Sequence, residues 1–421
     1  MVDKNLFLHD LAVVAIIKNE GHYLKEWLDY HLLAGVGHFY LYDNDATDNQ
    51  AEVAAPYVEA GLVDYFPAPG NLMQHYAYND AVKRFKFQCR YMAFIDGDEF
   101  IYPKTNRAVA EVLDEIFSLD RHAAGVGINW QLFGSNGQET ADYSRGVLER
   151  FTRRAPKDWS EEIPDGYVGG NIHVKMISNP RRISFIRHSH FQDYVEDFYA
   201  VNENGDIVQG YNNEPVTVEK IALNHYYAKS HEEFALKKLR GKADVLGKYV
   251  DEAFTVYDRN EEFDDGILHY RDERAKIYQP PDNEHVNERL LNALAENLMP
   301  TFLTSTPPEF FAGKMETFLT CRAVAAYLKD NMSDNSRAKL FEESSIKAIV
   351  KAFDRMNFVD GRLLINELPE ILPLDYPAVK DVRKGVLKII SKMQDILHAN
   401  IKWQDYVQLD YLRRLIKNLG E

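Results

Sequence analysis

Cysteine is almost missing from this sequence: Cys89 and Cys321 are the two in 421 residues. Two distant thiols make no disulfide framework, which suits a reducing compartment. Positive charge is in deficit, with 49 Lys and Arg against 65 Asp and Glu, a net charge of -16. A nucleic-acid partner is disfavoured, because displacing phosphate counterions takes a basic surface. Long apolar runs are absent too. The longest, Leu11 to Ile17, falls far short of the roughly 20 residues of a membrane span. The start, MVDKNLFLHD, shows no basic segment followed by an apolar one, so no signal peptide is expected. These absences predict a cytoplasmic protein, and peripheral contact with a membrane surface stays compatible with them.

What is present is an alternation of strands and helices. Leu11–Ile17, His38–Tyr42, Leu62–Phe66 and Tyr91–Ile95 read as buried strands. Helical spacing at Tyr23–Leu32, Val53–Val58 and Ala77–Phe85 fills the gaps. Four rounds in about 100 residues predict an α/β fold with a mostly parallel sheet and helices on both faces. Ligands of such sheets bind beyond the carboxyl ends of the strands. Polar groups sit there: Lys18, Asn19 and Glu20 after the first strand, Asp43 and Asp45 after the second, Asp96, Asp98 and Glu99 after the fourth. The Asp-Gly-Asp turn reads either as a solvent-facing acidic turn or as a holder of a hard divalent cation bridging to phosphate. The segment after the first strand lacks G-x-G-x-x-G spacing, which disfavours nicotinamide, flavin and P-loop enzymes.

Further along, Gly125–Phe133 reads as a strand whose Trp130 and Phe133 are either core or cleft residues. Ser135 lies in the flexible turn that follows. Arg181, Arg182, Arg187 and His188 form a basic cluster. His225 ends a strand, either as a core histidine or as a site residue. Ser230 and Glu233 form a capping box, with Gly241 as the stop. Lys229 precedes that helix, where backbone N–H groups also attract anions. Arg240 stands about 15 Å further along the helix axis, too far to share one diphosphate with Lys229, and reads as a local partner. The chain divides into an α/β domain over 1–255, a linker over 256–285, and an all-helical C-terminal domain over 286–421, one face of which could mediate oligomers. Asp360-Gly361 with Glu367 misses the EF-hand positions at Met356 and Phe358, so calcium is rejected.

Taken in order, VVAIIKNEGHYLKEWLDYHLLAGVGHFYLYDNDATDN, AYNDAVKRF, YMAFIDGDEF, NWQLFGSNG, ERF, HVK and NHYYAKSHEEFALKKLRG resemble glycosyltransferase family 92, related to family 2 transferases of the GT-A fold. The resemblance covers roughly residues 10 to 250. It implies inverting, metal-dependent transfer of a hexose, galactose or a relative, from a UDP-sugar to a glycan or glycolipid. It also implies that Asp43 contacts the uracil, Asn79 lies near the donor, Asp96 holds ribose or metal, and Asp98 and His225 ligate Mn2+ or Mg2+. Lys18, Asn19, Glu20 and Lys229 complete the expected donor pocket; Trp130, Phe133 and Ser135 are the acceptor candidates. Asp142, Glu149 and Glu139 are the candidate bases, with Asp142 preferred. Animal and plant members look membrane-anchored, so a chain without an anchor fits a bacterial enzyme of surface polysaccharide synthesis. The competing readings are a sugar-phosphate nucleotidyltransferase, which would release pyrophosphate from a nucleoside triphosphate, and a non-enzymatic scaffold that would not bind UDP.

Overall fold

The first strand, β1 (His9–Ile17), is buried from Leu11 to Ile17, as an unbroken apolar run must be when both faces of a sheet are covered. The structure, a computed structural model, describes residues 9–86, 89–162, 168–241 and 253–280. Helix α1 (Gly21–Leu33) follows, then β2 (His38–Asp43), α2 (Gln50–Glu59), β3 (Val63–Pro67), α3 (Gln74–Phe85) and β4 (Cys89–Phe94). After β4 come β5 (Glu99–Pro103), α4 (Val109–Phe117), β6 (Ala123–Leu132), β7 (Val174–Ser178), β8 (Tyr199–Val201), β9 (Ile207–Val208), β10 (Ile221–His225), α5 (His231–Arg240) and α6 (Gly266–Ile277).

The ten-stranded sheet runs β9-β8-β6-β7-β4-β1-β2-β3, with β10 joining β5 and β6 off that path. Strand β1 pairs parallel with β2 on one side and β4 on the other, and β2 with β3. The chain therefore changes direction across β1, and the crevice between the carboxyl ends of β1 and β4 is the topological switch point. Strand β7 enters antiparallel between β4 and β6, so the sheet is mixed and mostly parallel.

Three side chains of α1 clamp the strand that follows the Asp-Gly-Asp turn. Trp27 Nε1 donates to the Glu99 carbonyl at 2.8 Å, Tyr30 Oη to the Ile101 carbonyl at 2.7 Å, and the Ile101 N–H donates to His31 Nε2 at 3.3 Å. His31 is buried, and its Nδ1 lies 2.8 Å from the Trp27 carbonyl. Only the Nδ1–H tautomer satisfies both contacts. Gly35 ends the α1 region with φ +96°, and a Cβ there would stand 2.8 Å from the Ala108 Cβ. This is the close approach that glycine permits.

Two expectations change here. The stretch read as one strand from Tyr91 into the acids is two strands with a turn between them, and Glu99 opens the second, fully buried. The segment read as a linker from 256 is part of the body as far as 280: Ile267 and Tyr270 of α6 lie in the main core, and Arg274 Nε donates to the Leu33 carbonyl at 2.8 Å. The basic cluster is structural. Arg181 is buried and donates to the Cys89 carbonyl at 2.7 Å, Arg182 to the Ala123 carbonyl at 3.1 Å, and Arg187 pairs with Asp193 at 2.9 Å. These contacts secure the starts of β4 and β6, the opposite end of β4 from the acids. One compact unit comprises Met1–Asp193 and Phe198–Leu290. The other, Tyr194–Asp197 with Leu291–Glu421, lies almost wholly outside the described residues, as do the expected C-terminal helices.

Candidate functional site

The Asp-Gly-Asp turn packs directly on the end of β1. A Cβ at Gly97 would meet Glu20 Cγ at 3.4 Å and Ile17 Cγ2 at 3.6 Å, so only a residue without bulk lets the turn sit this close. From there the two aspartates face different partners. Asp96 Oδ2 meets Lys175 Nζ of β7 at 2.7 Å, and its Oδ1 accepts from Gln74 Nε2 of α3 at 2.8 Å. Asp98 is buried; its Oδ2 meets Lys237 Nζ of α5 at 2.6 Å, and its Oδ1 stands 3.6 Å from His225 Nε2.

Burial alone would push the Asp98 carboxyl up, but Lys237, then His225 and Lys229, hold it well below the usual carboxylate range. Burial likewise opposes the charge on Lys175, yet Asp96 and Glu99 outweigh it and keep the ammonium. Glu99 goes the other way. Burial outweighs the pull of Lys175, 3.6 Å away, and with repulsion from Asp96 and Asp98 pushes its carboxyl up to about 8. Its Oε2 accepts the Asp96 N–H at 2.8 Å, so Glu99 shapes the turn from beneath.

Helix α5 supplies the cations. Its start is locked by the predicted capping box, Ser230 Oγ accepting from the Glu233 N–H, and Gly241 ends it at φ +81°. Glu233 also grips Arg150 through two hydrogen bonds, 2.9 and 2.7 Å, both partners buried. Lys237 and Arg240, three residues apart and so on one helix face, then reach the ends of β4 and β1. Arg240 donates to the Lys18 carbonyl at 2.7 Å and pairs with Glu20. It is thus a long-range partner rather than the local one expected. Lys229, 5% exposed, has no hydrogen bond or ion pair among the described residues; its ammonium lies 4.2 Å from the centre of the Tyr23 ring.

Several buried polar atoms at these strand ends have no hydrogen-bond partner among the described residues: Glu20 Oε2, Glu99 Oε1, His225 Nδ1 and Trp130 Nε1. Such atoms cost about 1–3 kcal/mol each unless something satisfies them. Their gathering around one crevice marks a place built for a polar ligand. Trp130 belongs there, its ring 4.3 Å from that of His225.

Other expected site residues are placed differently. Asn79 is consumed in structure, donating to the His75 and Ile186 carbonyls and accepting the Ile186 N–H at 2.9 Å. Asn19, at φ +54°, accepts the Thr47 N–H at 2.7 Å. Asp43 accepts from the Ala46 N–H at 2.8 Å and from Tyr65 at 3.0 Å. Phe133 is fully buried against Tyr226, and Ser135 is fixed by Asp258 and Gly137. Both are core, not acceptor, residues. Glu139 and Asp142 are exposed on a loop over the start of α5, where the Asp142 carboxylate accepts from the Ser144 N–H and hydroxyl beside it and Glu139's carbonyl accepts the Glu232 N–H. Glu149 faces Arg271 at 3.4 Å in a cavity of 400 Å³ shared with Tyr23 and Tyr143, whose lining includes no residue of the Asp-Gly-Asp turn. Among the described residues no hydrogen bond or ion pair joins these three candidate bases to the turn.

Nor do Asp96, Asp98 and His225 make a metal cage. Among the described residues no three His, Cys, Asp or Glu side chains gather to hold an ion. A divalent ion wants several free oxygens, whereas both aspartates already face ammonium groups. Sequence reading missed Lys175, Lys237, Gln74 and the reach of Arg240. The signal for Lys175 was a lysine inside an apolar strand, since a charge buried there demands a partner.

Comparison with known proteins adds to this geometry. A glycosyltransferase family 92 protein of Ricinus communis is 23% identical over 245 residues, covering 58% of this chain and 40% of its own length. A galactan β-1,4-galactosyltransferase of Arabidopsis thaliana is 29% identical over 100 residues, covering 21% of this chain and 19% of its own. The chain thus spans less than half the length of these relatives. S. aureus TarS 1–349 in complex with UDP aligns at a TM-score of 0.28 and 10% identity, covering 91% of this chain and 92% of that one. So low a score carries nothing of its chemistry across. The sequence model of glycosyltransferase family 92 matches residues 14–262, from the middle of β1 past the end of α5 and so more than half of the 421 residues, and the chain belongs to that family.

Proposed function

We propose that this chain transfers a hexose, galactose first among candidates, from a UDP-sugar to a glycan or glycolipid hydroxyl, with inversion at the anomeric carbon. The observation that carries the reading is the crevice between β1 and β4, where Lys237 pairs with Asp98 of the Asp-Gly-Asp turn, Arg240 pairs with Glu20, and Lys229 rests on the Tyr23 ring with no ion pair among the described residues. A nucleoside diphosphate carries negative charge that grows as the bond to the sugar breaks. Cations fixed in a partly dry cleft stabilise that growth with little reorganisation. The acceptor oxygen attacks the anomeric carbon from the face opposite the diphosphate and loses its proton to a base, and UDP departs with the electrons of the broken C–O bond. The Arabidopsis galactosyltransferase relative favours galactose as the donor sugar and a galactan-like glycan as the acceptor. Synthesis of bacterial surface polysaccharide from the cytoplasmic side is the setting we propose.

The test is conversion of labelled UDP-galactose, by hydrolysis and by transfer to galactan oligosaccharides, in the native chain and in Asp98→Ala. Without Asp98 the Lys237 ammonium loses the carboxylate that fixes it, so the variant should lose about 100-fold or more, the usual cost of losing one fixed electrostatic group that stabilises the departing charge. Undiminished turnover in Asp98→Ala would sink the reading. Donors with other bases and sugars, screened by thermal shift, decide the nucleotide, since a ligand of the folded state alone raises its stability.

A further inference from the structure

We propose that the positive charge for the nucleotide's diphosphate comes from Lys229 and Lys237 of this chain, with Arg240 beside them held by Glu20, so that nucleotide binding does not require a divalent cation. This deepens the transferase reading and rests on it. The ground is what surrounds the carboxylates. A metal at Asp98 would have to displace Lys237, which stands 2.6 Å from Oδ2, is steadied by the Tyr227 carbonyl at 3.1 Å and lies 3.9 Å from the centre of the Tyr227 ring. It would also sit beside a second cation, Lys229, close enough to Asp98 to act on its charge.

Lys229 is the independent sign of an anionic ligand. It is 95% buried, since 5% is exposed, yet it meets no carboxylate or carbonyl within bonding distance among the described residues and rests on the Tyr23 ring alone. Its backbone takes φ +51°, a left-handed turn uncommon for a side chain of this kind. A buried ammonium that no carboxylate bonds directly keeps an unmet part of its desolvation cost until an anion reaches it. A diphosphate entering the crevice would supply one.

Charge balance points the same way. Around the crevice Lys229, Lys237 and Arg240 face Glu20 and Asp98, three cations against two anions. That surplus suits a phosphate and repels a bare divalent ion. On the far side Lys175 already serves Asp96.

The experiment is calorimetric binding of UDP and of uridine to the full chain, in EDTA and in manganese. The native protein should bind UDP in EDTA with an affinity within about threefold of that in manganese. Lys229→Met and Lys237→Met should each weaken UDP in EDTA by about tenfold or more, the effect of losing one charge-assisted hydrogen bond, and leave uridine unchanged. Lys237→Arg, which keeps the charge and leaves Asp98 paired, should stay within a few-fold of native. Thermal unfolding of each variant separates lost binding from a lost fold, and the arginine variant decides the matter if the methionine variant fails to fold. UDP binding that disappears in EDTA and returns with manganese would overturn the inference while leaving the transferase reading intact. Absence of UDP binding under both conditions would overturn both.

Discussion

A lysine in the middle of a buried strand is the residue most sensitive to its neighbours. Lys175 is 1% exposed and lies between Asp96 and Glu99. Replacing it with methionine removes the only ammonium bonded to that pair among the described residues. Breaking a buried ion pair from one side typically costs about 3–5 kcal/mol, so Lys175→Met should lower the free energy of unfolding, measured with urea, by that amount. Adding Asp96→Asn should recover part of the loss, because the carboxylate that Lys175 serves is then gone too. A double variant no more stable than Lys175→Met would show that Asp96 is not left stranded when the lysine is lost. His31 gives a pH test. Burial lowers its pKa to about 3, so the folded state holds it neutral while the unfolded chain binds a proton below the ordinary value near 6.5. Stability from this group is present above that value and is lost as pH falls from about 6.5 towards 3. The expected outcome is a shallower acid loss in His31→Leu than in the native chain over that window, measured by urea unfolding at successive pH values.

At the scale of the element, α5 decides whether the site exists. Its capping box, Ser230 with Glu233, is readable from S-x-x-E alone, and Ser230→Ala should cost about 1 kcal/mol. Glu233 does more than cap, because it is doubly bonded to the buried Arg150 and accepts from Tyr23 at 2.9 Å. Burial pushes its carboxyl up, but Arg150 and Ser230 outweigh that and bring it down to about 2. The sign follows: this stabilisation is full above the unfolded value near 4.5 and is lost as pH falls through about 2. Glu233→Gln should therefore flatten the acid side of the stability curve below pH about 4.5. Because α5 sets Lys237 against Asp98, the same variant should also weaken UDP. Unchanged UDP affinity in Glu233→Gln would mean that the helix is held in place without its cap.

For the molecule as a whole, the telling segment is the one beyond α5. The family match ends at 262, yet α6, at Gly266–Ile277, buries Ile267 and Tyr270 in the main core, and the Tyr270 hydroxyl donates to the Arg107 carbonyl at 3.0 Å. Gly134 adds a close crossing, where a Cβ would come within 2.4 Å of the Arg259 carbonyl. Ile267→Ala should cost about 2–5 kcal/mol, as deletions of buried aliphatic groups do, measured by urea unfolding of the full chain. A change near zero would show that α6 is an appendage rather than a wall of the core.

How much of this was legible in the sequence follows from what each feature depends on. The strand and helix alternation was legible because burial on both faces of a parallel sheet writes unbroken apolar runs, and helices write a periodic face. The same holds for the Asp-Gly-Asp turn beyond β4, the cap of α5 and the family motifs from VVAIIKNE to the final NHYYAKSHEEF, since each is local in the chain. The partners of the carboxylates were not legible. Asp98 meets Lys237 139 residues away, Glu20 meets Arg240 220 away and Asp96 meets Lys175 79 away, and no spacing rule joins residues that only folding brings together. Asn79 was expected near the donor from the family resemblance, and Ser135 from its turn beyond a strand; tertiary structure instead occupies Asn79 with the His75 and Ile186 backbone and Ser135 with Asp258 and Gly137. By itself the sequence determined the class of fold, the family and the strand end at which the Asp-Gly-Asp turn stands. The tertiary structure alone decided which charges face one another there, because electrostatic pairing depends on distance in space, and chain order does not encode it.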